Sequence, residues 1–174
     1  MARIIEGTIA AYVYEDGEGF LGLQEITMPD VSHTTFEMSG LGMMGKANYG
    51  ALSQVEPMTM TMNFRDTSAA FYKLSEQRVH IITLEVAKQA HDRQAGEIPV
   101  TGIKYVIRCE PVKTTGGSVK PATPQNVSIE FSVFAIQEFV DGKPQRHIDI
   151  DNYIDETNGV DRAAPIRKAL NMSY

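Results

Sequence analysis

The sequence predicts a mainly β chain: a β-sandwich or flattened barrel of about eight strands, with one short interior helix and a short helix near the end. Three observations carry this reading. Most apolar segments alternate with period two, clusters of Gly, Pro, Asn and Asp separate them, and only one interior stretch spaces its apolar residues as a helix does. The clearest alternation is MTMTMNF, residues 58–64. Successive side chains of a strand point to opposite faces, so Met58, Met60, Met62 and Phe64 face a core while Thr59, Thr61 and Asn63 form a row of short, uncharged, hydrogen-bonding groups.

The elements follow in order. Residues 7–14 form a first strand, and the EDGEG sequence at 15–19 turns it. A second strand over 20–28 and a third over 31–38 read as a hairpin reversing at Pro29 and Asp30. Residues 39–57, rich in glycine, read as one long loop. After the alternating strand at 58–64, Asp66 or Ser68 can cap a helix that places Ala70, Phe71 and Leu74 on one face. The near-continuous apolar run at 79–87 predicts a central strand buried on both faces. Residues 88–99 are polar and turn-like. Two long strands, 103–112 and 125–140, flank a Gly- and Pro-rich tip at 114–124. In the second of them the apolar parity shifts at Phe134, which predicts a bulge or a change of neighbour near Val133. Asp141 and Gly142 turn the chain into a last strand at 146–154, and an amphipathic helix occupies part of 160–170.

The totals fit one domain over 1–174. The chain has 174 residues, 43% of them hydrophobic, which suits one core of ordinary size. Sixteen basic against twenty-two acidic residues give a formal charge of −6, which argues against a surface built to grip nucleic-acid phosphates. The single cysteine, Cys109, has no intramolecular partner, and it falls on the apolar parity of its strand as a core residue. No signal-peptide pattern opens the chain, and no apolar run reaches the roughly 20 residues needed to span a bilayer.

Motifs for chemistry are weak. Gly40, Gly42 and Gly45 satisfy G-x-G-x-x-G with Lys46 behind them, but a dinucleotide site needs a helix after the glycines, and Gly50 and Pro57 limit any helix here. His147, Asp149 and Asp151 alternate and would share a strand face that could hold a divalent cation; the plainer reading is a solvated face. No nucleophile elbow occurs, and the sequence implies no catalytic residue, resident metal or cofactor. Met43 and Met44 suit adaptable packing against a partner.

At the end of the chain, YIDETNGVDRAAPIRKALNM (153–172) resembles the closing segment of the major tail tube proteins of contractile-tailed bacteriophages, in which an NGVDR-type turn precedes a short basic helix. The LQEITMPDVSHTTFEMS segment, the glycine loop from Gly40 to Gly45, the alternating strand with its helix, and the late strand pair with a DGK turn agree in order. The resemblance covers nearly the whole chain.

This resemblance implies a structural protein, not an enzyme. It implies hexameric rings stacked into a tube inside a contractile sheath, each subunit giving four strands to a shared inner barrel around a lumen that conducts DNA or an effector. Implied partners are other copies of the chain, the sheath protein, a tape-measure protein in the lumen, and baseplate and tail-terminator proteins; DNA passes without specific binding. The implied location is the host cytoplasm during assembly and then the tail of a virion, or of a tail-like particle such as an R-type bacteriocin. The polar parities are the expected lumen face: Glu25, Thr27, Thr35, Glu37, Thr59, Thr61, Asn63, Ser128, Glu130 and Ser132. Contacts between subunits or rings are expected at Gly40, Gly42, Met43, Met44, Gly45 and Lys46, and at Thr114, Gly116, Gly117 and Lys120. Two readings from other classes stand beside it: a monomeric β-sandwich with a ligand site at the Gly40–Gly50 loop, and a metal-dependent enzyme using His147, Asp149 and Asp151.

Overall fold

The computed structural model describes residues 3–15, 17–19, 23–92 and 98–172, and it is mainly β. Among the described residues, twelve strands and two helices follow one another: β1 (Arg3–Glu15), β2 (Glu18–Gly19), β3 (Leu23–Thr27), β4 (His33–Met38), β5 (Ala47–Val55), β6 (Met58–Phe64), α1 (Ala69–Leu74), β7 (His80–Asp92), β8 (Val100–Thr115), β9 (Val127–Val140), β10 (Lys143–Asp149), β11 (Ile154–Thr157), β12 (Val160–Asp161) and α2 (Ala164–Ala169). Ten strands make one antiparallel sheet in the order β12-β11-β10-β9-β8-β7-β1-β2, with β6 and then β3 branching from β9. The other two, β4 and β5, form a separate ribbon.

The branch is made by one strand. β9 pairs with β8 along nearly its full length, while its other edge pairs with β6 over Val127–Val133 and with β10 over Ala135–Val140. Phe134 falls between, where the β8 register skips a residue: Cys109 opposes Val133 and Arg108 opposes Ala135. The parity shift at Phe134 in the sequence is therefore both a bulge and a change of neighbour.

β6 alternates as its sequence requires. Met58, Met60, Met62 and Phe64 are buried opposite Val133, Phe131, Ile129 and Val127 of β9. Ile82, Leu84, Ile107, Cys109 and Val13 extend the same core across β7, β8 and β1, and Phe71 and Leu74 of α1 complete it. Ser68 caps α1, its hydroxyl accepting from the Phe71 amide at 3.3 Å. Phe71 meets Phe64 edge to face, ring centres 5.8 Å apart. Two helices of six residues cover little of a face this wide, so most of the core is supplied by side chains of the strands themselves.

Several expectations change. β3 does not form a hairpin with β4: Leu23, Ile26 and Thr27 pair with Phe64, Met62 and Thr61 of β6, which seats Leu23 and Ile26 against the core. Residues 20–22 of that expected strand lie outside the described residues. The expected loop at 39–57 is a strand over about half of its length, because β4 pairs with β5 and leaves a connection of only 39–46. β7 is central but buried on one face only; Ile81 is 55% exposed and Glu85 is exposed too. It also continues to Asp92 against β1, through residues that read as a turn. The expected strand at 146–154 stops at Asp149, whose carboxylate accepts from the Asn152 backbone and side-chain amides at 3.0 and 2.8 Å and turns the chain. The short final helix forms as expected, at Ala164–Ala169, but it buries no residue.

Candidate functional site: a polar sheet face, a ribbon and a C-terminal block

Register places eight of the ten expected lumen residues on one continuous surface. On β6, Thr59, Thr61 and Asn63 stand opposite Ser132, Glu130 and Ser128 of β9. On the other flank Asn63 opposes Glu25 and Thr61 opposes Thr27 of β3, and the Asn63 amide donates to the Glu25 carboxylate at 3.4 Å. These side chains share a face because their alternating neighbours are all committed to the core. The same rows continue on β8, where Glu110 opposes Ser132, Lys113 opposes Glu130 and Thr115 opposes Ser128. Those three were missed in the sequence. Their parity was obscured by a register shift between Pro111 and Lys113. The surface thus carries three carboxylates against one ammonium, separated by hydroxyls and an amide.

Thr35 and Glu37 lie apart from this face. They sit on β4 in the ribbon, opposite Gly50 and Asn48. The ribbon's other parity is apolar, with Phe36 opposing Tyr49 and Met38 opposing Ala47; the Phe36 and Tyr49 rings are 6.2 Å apart. All six β4 residues are exposed. The glycine motif forms the ribbon's tip. Gly42 has a φ of +95°, Met44 projects fully into solvent, and Lys46 donates to Glu37 at 2.8 Å. A strand follows these glycines where a dinucleotide site requires a helix.

The second expected contact region is a hairpin end. Thr114 lies at the end of β8, next to its last residue Thr115, and Gly116, Gly117 and Lys120 lie in the connection to β9. This connection is tied across its base by the Gln125 side chain donating to the Gly116 carbonyl at 2.6 Å and by the Ser118 amide donating to the Gln125 carbonyl at 2.9 Å.

The NGVDR sequence has a mechanical meaning. Asn158 and Gly159, with φ of 52° and 77°, make the two-residue turn between β11 and β12, for which Asn-Gly is the favoured pair. Asp161 then accepts from the Ala163 amide at 2.9 Å and from the Arg167 guanidinium, while Arg167 also donates to the Tyr153 carbonyl at 2.6 Å. Burial pushes the Asp161 carboxyl up, but the bonds from Arg167 and Ala163 outweigh it and hold it below the usual range.

The features considered for catalysis are otherwise engaged. Arg108 donates to Asp149 at 3.2 Å and Asp151 at 2.6 Å, and His147 Nε2 lies 3.0 Å from the Gln137 amide nitrogen. Cys109 is fully buried and its thiol is pushed up to about 12, chiefly by burial and then by the charge of Glu15. A concavity of about 910 Å³ is lined by residues of β1, β7, β8 and the end of β9, and by none of the glycine motif. Ala10, Ala87 and Gly102 are among its lining residues, and its Glu85 and Lys104 approach each other at 3.9 Å. Among the described residues, no helix is long and apolar enough to cross a membrane.

Sheet, ribbon and braced C-terminal block define a mainly β protein, one whose surfaces are made of strand faces and projecting arms. Its family is given by residues 8–170, which match the model of phage tail tube protein FII; the chain belongs to that family and is a structural, non-enzymatic tail tube protein. Among solved structures, it is similar to the sheath/tube terminator of the extracellular contractile injection system PVC in the extended state, with 15% identity and a TM-score of 0.53 over 75% of this chain and 94% of that one. It is likewise similar to a chain of the PVC sheath-tube complex, with 15% identity and a TM-score of 0.52 over 74% of this chain and 87% of that one. At that identity the likeness is one of fold. No curated protein sequence matches significantly.

Proposed function

We propose that this chain closes into hexameric rings, that the rings stack into the inner tube of a contractile tail or tail-like particle, and that the face shared by β3, β6 and β9 lines the lumen. The observation that carries the reading is the register: Glu25, Thr27, Thr59, Thr61, Asn63, Ser128, Glu130 and Ser132 fall on one surface whose reverse is the core. A wall of hydroxyls and carboxylates is wetted and repels phosphates, so DNA slides and is not held. An effector protein could use the same conduit.

Ring formation is favoured by the chain's unfinished edges. Among the described residues, β1 pairs on its outer edge only at Tyr14 and Glu15, and β3 pairs on one side only. Such edges are satisfied by closure with further copies. The ribbon tip from Gly40 to Lys46 and the connection from Thr114 to Lys120 are the arms for contacts between subunits and rings. The sheath covers the outside, the tape-measure protein fills the lumen before cargo passes, and baseplate and terminator proteins close the two ends. Assembly takes place in the host cytoplasm.

The test combines microscopy with labelling. Purified protein is expected to form tubes with a central hole by negative-stain microscopy. Thr61→Cys in those tubes should be shielded from a bulky maleimide yet open to a small one through the lumen. Equal reaction with both reagents in intact tubes would place this face elsewhere.

A further inference from the structure

The ribbon is attached to the body by an unusual base. Its outer ladder pairs Thr35 with Gly50 through Met38 with Ala47, and the next registered pair inward is His33 with Val55. Thr34 therefore faces the whole of 51–54. In that excess segment Ser53 has a φ of +52°, a region a non-glycine residue occupies only when its surroundings hold it there. Its hydroxyl donates to Asp155 at 2.8 Å. Asp155 is 7% exposed on β11, and among the described residues Ser53 is the donor that its carboxylate has. The carbonyl of Asp155 accepts from the Arg162 amide at 2.8 Å, which ties this anchor to the C-terminal block.

We infer that Ser53 and Asp155 are positioning residues: their bond fixes the angle at which the β4–β5 ribbon leaves the body, so that the arm meets a second copy of this chain already oriented. An isolated two-stranded ribbon is marginally stable in water, and among the described residues Phe36, Met38 and Tyr49 of its apolar row remain exposed. A free arm would sample many directions and lose that entropy on docking; a pinned arm has lost it in folding. The purpose rests on the tube reading, whereas the pin itself does not.

Two spin labels measure the arm directly. Cys109 is fully buried, so the labels are directed to Met44→Cys at the tip and Lys143→Cys on the body. The dispersed subunit is expected to give one narrow distance distribution. Ser53→Ala and Asp155→Ala should each broaden it about twofold and cut the tube yield about tenfold, whereas Asp155→Asn, whose amide oxygen still accepts, should keep the narrow distribution. An unchanged distribution in Ser53→Ala, or broadening in Ser53→Ala without the same in Asp155→Ala, overturns the inference. Failure of the unsubstituted protein to form tubes would count against the tube reading and leave the distance comparison intact.

Discussion

Glu15 stands at the end of β1 with 2% of its surface exposed, and its removal should be among the most damaging single changes in the chain. One carboxylate oxygen lies 2.9 Å from His80 Nδ1; the other accepts from Arg78 at 3.1 Å and has the Lys73 ammonium at 4.0 Å. His80 is fully buried, with Nε2 3.1 Å from the Glu76 carbonyl and its ring edge-on to Phe131. Removing one member of a buried charged cluster costs about 3–5 kcal/mol. Arg78 is 40% exposed and can turn to water, and Lys73 is distant, so their share is discounted. What remains is an orphaned His80 nitrogen, at about 1–3 kcal/mol, together with the cavity left by the side chain. Glu15→Ala should therefore lose about 3 kcal/mol, a large part of the roughly 5–15 kcal/mol that holds a domain together. With a urea slope of about 2 kcal/mol per molar, the unfolding midpoint of the dispersed subunit should fall by about 1.5 M. Glu15→Gln, which keeps the shape and one acceptor, should lose about half as much. A midpoint shift below about 0.3 M for Glu15→Ala would refute the claim that this cluster holds β1, α1 and β7 together.

Other substitutions and conditions separate assembly from folding. Gly42→Val meets open space but carries a φ of +95°, so the strain falls on the ribbon tip; tube yield should drop severalfold by microscopy while the urea midpoint moves by less than about 0.5 M. Asp161 has a folded pKa below its unfolded value of about 3.9. Its contribution is thus fully present above pH 4 or so and lost as pH falls through the folded value; hydrogen exchange at 160–170 should quicken there, and Asp161→Asn should remove that step. Cys109 should resist iodoacetamide at pH 8 in the folded protein and react fully in urea, as mass spectrometry would report.

How far the sequence could be read depended on whether the deciding interaction was local. Alternation in β6 and the cap of α1 are properties of consecutive residues, and both were legible. The parity shift at Phe134 was legible too, since it is written in one strand, although the identity of the two neighbours was not. Pairing is the long-range part. Pro29 and Asp30 look like a hairpin turn, yet Leu23 and Ile26 gain more by joining Met62 and Phe64 over the core than β3 would gain from the exposed β4. β5 was hidden because Gly50 and the excess residues at 51–54 erase its period, leaving β4 to supply the order. The buried Glu15–His80 cluster had no signature, since its members come from a turn-like segment and an apolar strand. The polar face was visible strand by strand on β3, β6 and β9, but only the register joined them, with the unforeseen rows of β8, into one surface.

The division of β9 has a mechanical consequence. A pull along this strand loads the ladder to β8 in shear, with many bonds sharing the force at once. Across Phe134 the situation is opposite, because β6 and β10 follow one another along the same flank and, among the described residues, have no ladder between them. The sheet is stiff along β9 and creased at one residue. A subunit built this way can carry load along its long strands and still yield slightly at that one fold line.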